Sequence, residues 1–130
     1  MEEKRLLDAA TAARENAYCP YSHYAVGAAL LCEDGRVFVG CNVENASFGA
    51  TLCAERAALA AAVTAGAREF AALALVGGPE GEEAGEVCPC GICLQALSEL
   101  CGREMPVYTL VGDTPVGRTL GELIPNAFQL

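Results

Sequence analysis

The sequence predicts an α/β domain in which helices cover a mixed β-sheet. Apolar residues recur at helical spacing in three segments, and nearly continuous apolar runs of strand length lie between them. Two of these runs are separated only by Glu33-Asp34-Gly35, which is typical of a tight hairpin turn. Helices that alternate with strands after one early hairpin favour a sheet with both parallel and antiparallel neighbours. The 130 residues are expected to form a single domain over 1–130.

The first half of the chain is expected to hold one helix and the two strands of the hairpin. Apolar residues recur at helical spacing from Glu2 to about Asn16, and Pro20 prevents the helix from continuing. The apolar runs 25–32 and 36–43 are predicted to form strands on either side of the turn. Residues 45–52 then form a loop that leads into the next helix.

The second half of the chain alternates helices with strands. The expected elements are a helix over 54–64, a buried strand over 70–76, a helix over 90–101, a strand over 106–111, a short last strand over 116–120 and a helical turn over 120–124. The run 70–76 is almost entirely apolar, which is typical of a central strand covered on both faces. Residues 77–86 form an acidic loop to which no chemistry is assigned.

Composition argues against several classes of function. The net charge is −9, and the eight basic residues are spread along the chain without a cluster, whereas a protein that binds a polyanion needs a basic surface. The sequence contains no apolar run of the roughly 20 residues that span a membrane, and the charged start Met1-Glu2-Glu3-Lys4-Arg5 is unlike a secretory signal. We therefore expect a cytoplasmic protein that acts on a small neutral molecule, with no nucleic-acid or membrane partner.

The apolar content points to contacts between subunits. Hydrophobic residues make up 53 % of the chain and the mean hydropathy is +0.31. These values are high for a domain of this size, because its interior cannot hide so much apolar surface. Oligomerisation is the interpretation we favour, and an alanine-rich composition with ordinary surfaces is the alternative.

Three of the eight cysteines have the spacing of a metal site. Cys53 begins one expected helix, and Cys90 and Cys93 begin another, where residues at i and i+3 share a face. Thiolates at a helix N-terminus are stabilised by the positive end of the helix dipole. Three protein ligands leave a fourth tetrahedral position for water, which is typical of catalytic zinc. A closed structural site of four thiolates that includes Cys88 is the alternative.

Two charged residues follow the first of these cysteines. Glu55 lies in the first helical turn after Cys53, where a carboxylate can accept a proton from zinc-bound water and return it to a substrate. Arg56 is a candidate to donate a hydrogen bond to a ligand thiolate, which would withdraw charge from a zinc site with three anionic ligands. A surface ion pair is the alternative for Arg56.

Five segments in order resemble a known family. A non-ligand glutamate followed by a P-C-x-x-C segment is the pattern of zinc deaminases, and this chain resembles the small, homotetrameric cytidine deaminases with three cysteine ligands. The matching segments are Tyr21-Ser22 with Val26-Gly27-Ala28-Ala29-Leu30, then Gly40-Cys41-Asn42-Val43-Glu44-Asn45-Ala46, Cys53-Ala54-Glu55-Arg56, Pro89-Cys90-Gly91-Ile92-Cys93-Leu94-Gln95, and Leu123-Ile124-Pro125 with Phe128. They extend over nearly the whole chain.

The resemblance implies a fold, a reaction and an assembly. The fold is a three-layer α/β/α sandwich around a mixed five-stranded sheet. The reaction is zinc-dependent hydrolysis of cytidine and deoxycytidine to uridine and deoxyuridine with release of ammonia, as in pyrimidine salvage. One Zn²⁺ per subunit is bound by Cys53, Cys90 and Cys93, with Glu55 as proton shuttle and Arg56 beside a ligand. The assembly is a homotetramer whose active sites are shared between subunits.

The resemblance also implies residues that bind the nucleoside. Asn42 and Glu44 follow a strand at period two, and in the family the matching residues hold the ribose; a polar strand end that forms a turn is the alternative from the residues alone. The Ala54 backbone N–H contacts the base. Phe128 matches a phenylalanine that packs on the base in a neighbouring subunit's site. Tyr24 occupies a position where many relatives have phenylalanine.

Two rival functions use the same residues. Blasticidin-type deaminases share the three-cysteine site, but the segment Asn42-Val43-Glu44-Asn45 favours a ribonucleoside as the substrate. Deaminases of the nucleotide dCMP need a phosphate site, for which the sequence shows no basic cluster. A structural zinc module without catalysis is the rival from a different class, and the glutamate beside a three-ligand site argues against it.

Overall fold

The computed structural model describes residues 2–130, and its elements lie close to the predicted ones. They are α1 (Glu2–Arg14), β1 (Tyr24–Cys32), β2 (Val37–Cys41), a 3₁₀ turn (Phe48–Ala50), α2 (Ala54–Thr64), β3 (Phe70–Pro79), α3 (Gly91–Leu100), β4 (Pro106–Val111), β5 (Thr114–Thr119) and α4 (Leu120–Leu123). Residues 80–90, between β3 and α3, are called the β3–α3 loop below. Within residues 2–130, no helix has the length and apolar character needed to cross a bilayer.

The five strands form one mixed sheet in the order β2-β1-β3-β4-β5. Strand β1 pairs antiparallel with both β2 and β3, β4 pairs antiparallel with β5, and β3 and β4 are parallel. The predicted hairpin is present, with Leu31 opposite Val37 across the turn. The parallel pair is joined through α3, as a crossover connection requires. The predicted mixed five-stranded sheet is confirmed.

Helices cover both faces of this sheet. On one face, Leu30 of β1 and Leu73 and Leu75 of β3 pack with α2 and α3 in one hydrophobic cluster. On the other face, alternate residues of the same strands, among them Val76, pack with α1 through Leu6. Because side chains alternate between the faces of a strand, the almost unbroken apolar sequence of β1 and β3 follows from burial on both sides. The predicted α/β/α sandwich is confirmed.

Helix α2 rests directly on the backbone of β2. A β carbon built on Gly40 would lie 2.5 Å from the carbonyl oxygen of Ala54 and 2.6 Å from the backbone nitrogen of Ala58. Glycine at residue 40 therefore lets the first turn of α2 approach the strand more closely than any side chain would allow. This contact fixes the height of the start of α2 above the sheet.

Several element boundaries differ from the predicted ones, and strand pairing accounts for those of β3 and β5. Strand β3 continues to Pro79 because Gly77 and Gly78 pair with Val26 and Ala25 of β1. Strand β5 begins at Thr114, opposite Val111. Helix α1 ends at Arg14, two residues before the predicted Asn16. The predicted 36–43 strand shortens to Val37–Cys41.

Candidate metal centre

Two helix N-termini bring three thiols together. Cys53 is the N-cap of α2, Cys90 is the N-cap of α3, and Cys93 lies in the first turn of α3. The Sγ atoms of Cys53 and Cys90 are 4.0 Å apart, and those of Cys90 and Cys93 are 3.5 Å apart. All three sulfurs lie within 4.8 Å of one another. Two sulfurs bound to a tetrahedral zinc at about 2.3 Å are separated by about 3.8 Å, so the cluster fits one zinc ion.

The protonation of these thiols also suits a cation. Burial opposes ionisation of Cys90, but donors from Cys93, Cys53 and Ile92 outweigh it and hold the pKa of Cys90 below its ordinary value. Burial, followed by the negative charge of Glu55, raises the pKa of Cys93. Three thiols this close cannot all be anionic unless a positive charge lies among them, and a divalent metal supplies that charge.

Glu55 lies beside the cluster with its side chain almost completely buried. It is 4 % exposed, and this burial raises the pKa of its carboxyl, against the lowering effects of a backbone N–H, the Cys93 thiol and the Arg56 charge. A carboxyl whose pKa is shifted upward is a better proton acceptor near neutral pH than an exposed one.

Arg56 contacts the metal cluster through its guanidinium group. Its Nη2 lies 3.6 Å from Cys53 Sγ and 3.3 Å from the carbonyl oxygen of Thr51. Hydrogen bonds to Cys53 and then Cys93 raise the pKa of Arg56. Among residues 2–130, its charge has no carboxylate within ion-pair distance. The contact with a thiol favours the first of the two interpretations of Arg56, and its role stays a prediction.

A cavity of about 130 Å³ opens over Glu55. Its wall combines residues of the metal centre with one amide, one further thiol and three aliphatic side chains: Cys53, Ala54, Glu55 and Cys90, with Asn42, Cys88, Val26, Leu75 and Val87. The aliphatic side chains in this wall suit a flat, apolar ring.

The predicted ribose-binding residues lie in different surroundings. Asn42 is 9 % exposed, accepts a hydrogen bond from the Val26 N–H at 2.9 Å and donates one to the Tyr24 carbonyl at 2.8 Å. Glu44 is exposed and accepts hydrogen bonds from the N–H groups of Tyr21 and Ser22 at 3.0 and 3.1 Å and from the Ser22 hydroxyl. The Ser22 hydroxyl is the largest cause of the lowered pKa of Glu44. Of the two, the structure brings only Asn42 into the cavity wall.

The two predicted aromatic contacts lie outside the cavity of the single chain. Tyr24 begins β1 and is 38 % exposed. Phe128 is 68 % exposed, and its backbone N–H and carbonyl both bond to the side chain of Gln95, at 3.1 and 2.8 Å. This pair of bonds ties the C-terminal segment to α3 and leaves the ring of Phe128 free. The roles of both aromatic residues stay predictions.

Sequence reasoning missed four residues of the cavity wall, namely Val26, Leu75, Val87 and Cys88. Cys88 was considered only as a fourth ligand, but it is exposed and is not part of the three-sulfur cluster within residues 2–130. The first three are aliphatic residues without a chemical signature. The signal that could have found Val87 and Cys88 is their position just before Pro89-Cys90, where the chain must pass the metal centre.

Known proteins are similar to this chain in both sequence and fold. The family model described as the cytidine and deoxycytidylate deaminase zinc-binding region matches residues 1–109. A cytidine deaminase of Sporosarcina psychrophila is 47 % identical over 131 residues, with 99 % of this chain and 93 % of that protein covered. The crystal structure of cytidine deaminase from Burkholderia pseudomallei is 49 % identical, with a TM-score of 0.87 over 98 % of this chain and 100 % of that one. The corresponding values for cytidine deaminase from Mycobacterium tuberculosis are 45 %, 0.83, 100 % and 99 %.

Proposed function

This chain belongs to the cytidine deaminase family, and on that premise we propose that it hydrolyses cytidine and deoxycytidine to uridine and deoxyuridine, with ammonia as the second product. The observation that carries the proposal is the three-thiol cluster beside the buried Glu55, next to a cavity that Glu55 and two of the three thiols line together with aliphatic side chains. Cys53, Cys90 and Cys93 would hold one zinc ion. When bound, zinc supplies Lewis acidity that turns water into a nucleophile near neutral pH.

Glu55 is the proton shuttle of the proposed reaction. Its carboxylate accepts a proton from the attacking water and delivers it to N3 of the pyrimidine, which makes C4 electrophilic. The hydroxyl now bonded to C4 gives its remaining proton to Glu55, which passes it to the amino group; the C4–N bond then breaks, ammonia leaves and a C4 carbonyl remains. Burial raises the pKa of this carboxyl, which brings it closer to the range in which one group can both accept and donate a proton.

Arg56 adjusts the charge of the metal centre. A zinc ion held by three thiolates would give the site a net charge of −1 and would be a weaker Lewis acid than one held by neutral ligands. The guanidinium of Arg56, 3.6 Å from Cys53 Sγ, draws electron density from that thiolate and so offsets part of the loss.

The substrate is held by contacts on two sides of the cavity. Val26 and Val87 supply apolar surface for the pyrimidine ring, and the Ala54 backbone N–H, at the start of α2, hydrogen-bonds the base. Asn42 and Glu44 bind the ribose hydroxyls; Asn42 is pre-oriented for this by its two bonds to the β1 backbone. The net charge of −9 and the scattered basic residues disfavour a nucleic-acid substrate.

The active unit is a homotetramer in the cytoplasm that serves pyrimidine salvage. Support for assembly comes from large apolar side chains exposed on the single chain, including Phe48, Ile92 and Phe128. In this proposal, Phe128 packs on the base in a neighbouring subunit's cavity, and Tyr24 borders the same cavity. Light scattering should give roughly four times the chain mass of 13.4 kDa. A stable and fully active monomer would contradict the shared site.

The test of the proposed reaction is a direct assay with competing substrates. Zinc-loaded protein is mixed separately with cytidine, deoxycytidine, dCMP and blasticidin S, and ultraviolet absorbance is followed together with ammonia release. We expect equal amounts of uridine or deoxyuridine and ammonia from the two nucleosides, and loss of turnover after chelation. Zinc-loaded protein that leaves both nucleosides intact and deaminates blasticidin S would overturn the choice of substrate.

A further inference from the structure

Arg14 is a buried arginine whose charge is surrounded by backbone carbonyls. It is the last residue of α1 and is 6 % exposed. Its Nε donates to the carbonyl of Ala25 at 2.9 Å, its Nη2 to that of Pro79 at 2.8 Å, and its Nη1 to that of Glu82 at 2.8 Å. Among residues 2–130, no carboxylate lies within ion-pair distance of it. One side chain therefore joins three separate segments of the chain.

These three segments form or support the wall of the cavity. Ala25 precedes Val26, which lines the cavity. Pro79 is the last residue of β3, and Glu82 lies near the start of the β3–α3 loop, whose far half carries Val87 and Cys88 into the same wall. The loop is held to β3 by the bond from the Gly85 N–H to the Gly77 carbonyl at 2.7 Å.

Gly77 joins the two halves of this wall. A β carbon on Gly77 would lie 3.1 Å from Val26 Cγ2 and 3.3 Å from Val87 Cγ1, so strand, loop and cavity wall pack directly on one another. If the start of the β3–α3 loop moves, we therefore expect Val87 to move with it.

Burying a charge without a counter-charge contributes little net stability, because the free-energy cost of desolvating the charge offsets most of the stabilisation by its hydrogen bonds. What such a group provides is a fixed geometry, and the planar fork of a guanidinium suits three carbonyls that lie in different directions. An apolar side chain of similar size would fill the space and leave the start of the loop without a tether.

We propose that Arg14 is a positioning residue for deamination, which clamps the β3–α3 loop to β1 and β3 and so keeps Val87 and Cys88 closed against the base. The inference rests on the proposed function for its kinetic consequence and on the hydrogen bonds of Arg14 for its structural one. Arg14 does not contact the metal cluster or line the cavity, so it acts on the substrate only through the loop.

The test compares Arg14→Met and Arg14→Lys with a matched control, an arginine of β5 whose partner lies on the same loop. The control is Arg118→Gln, which removes the ion pair of Arg118 with Glu86, 3.3 Å long and 40 % and 43 % exposed; an exposed pair of this kind contributes little. Two quantities are measured on zinc-loaded protein: the rate of cleavage after Glu82 and Glu83 by a glutamate-specific protease, and kcat and KM for cytidine.

Arg14→Met should be cleaved in the loop about tenfold faster than wild type and show a KM about tenfold higher, with kcat within about twofold and zinc content unchanged. Arg14→Lys, which keeps the charge but not the fork, should fall between, and Arg118→Gln should match wild type. If Arg14→Met does not fold, Arg14→Lys decides by the same two readouts.

Wild-type cleavage rate and wild-type KM in the folded Arg14 variants would overturn the proposal. A fall in kcat with unchanged KM and unchanged cleavage would do so as well. Failure of the proposed function would appear differently, as no turnover of cytidine by the wild type. The cleavage rate would in that case still decide whether Arg14 holds the loop.

Discussion

Gly40→Ala is expected to disturb the metal centre although Gly40 is not part of it. The added β carbon would lie 2.5 Å from the Ala54 carbonyl oxygen and 2.6 Å from the Ala58 nitrogen, where ordinary contacts begin at 3.4 Å. Both atoms belong to the backbone of α2 and cannot rotate away. The first turn of α2 must therefore retreat from β2 by about 1 Å, as happens when a packed contact is overfilled.

This displacement acts on the ligand at the start of the helix. Cys53 caps α2, and its sulfur is 4.0 Å from that of Cys90 on the other helix. Metal–ligand distances tolerate deviations of only about 0.2 Å, so a shift of this size weakens zinc binding. Overpacking costs typically 1–3 kcal/mol, and we expect the free energy of unfolding to fall by about that amount.

The measurement is denaturant unfolding of Gly40→Ala with zinc bound and after chelation, together with zinc content after dialysis against a competing chelator. The matched control is Gly91→Ala, because Gly91 adjoins Cys90 and a β carbon there meets no atom within 4 Å. Alanine in place of a helical glycine should raise stability by up to about 1 kcal/mol. Wild-type stability and zinc retention in Gly40→Ala, or an equal loss in Gly91→Ala, would refute the reasoning.

Three further predictions concern individual side chains. Cys90→Ser should lose zinc to a chelator that wild type resists, whereas Cys88→Ser should retain it; the reverse pattern in metal analysis would move the ligand assignment to Cys88. Arg56→Gln should lower kcat about 10–100-fold with zinc still bound. An unchanged kcat in steady-state kinetics would contradict a role for the guanidinium at the thiolate. Burial, and secondarily Cys32, raises the pKa of Cys101 from 9.0 to about 12. Because the unfolded thiol ionises first, stability is intact below pH 9.0 and is lost as the pH rises toward about 12; Cys101→Ala should flatten this decline in unfolding experiments, and an equally steep decline would contradict it.

The layout of the fold and the thiol cluster were accessible to sequence reasoning because both depend on local patterns. Apolar periodicity separates helices from strands, and the hairpin follows from its Asp-Gly turn. Cys53 and Cys90 cap their helices in the structure, as their positions at the start of apolar periodic segments indicated. Helix starts determine where the thiols point, so three residues on two helices could be placed at one ion before the tertiary structure was known.

The cavity wall and its support were not accessible, because they depend on contacts between distant segments. Arg14 bonds to carbonyls 11, 65 and 68 residues away. Because every residue type has a backbone carbonyl, the sequence does not indicate which residues accept these bonds. The extension of β3 to Pro79 depends on pairing with β1, whereas Gly77 and Gly78 alone suggest a loop. The same holds for Glu44, whose partners at Tyr21 and Ser22 come from another loop.

The central claim is that Glu55 moves protons at a zinc ion held by three thiolates. The most direct measurement is the rate of cytidine deamination by Glu55→Ala, and by Glu55→Gln as the variant that keeps the side-chain shape, beside wild type at equal zinc content. General acid–base catalysis contributes typically 10²–10⁴-fold, and in the proposed reaction Glu55 serves more than one proton transfer. Both variants should therefore hold zinc and lose at least that factor in kcat. Either variant turning over cytidine at the wild-type rate would contradict the account.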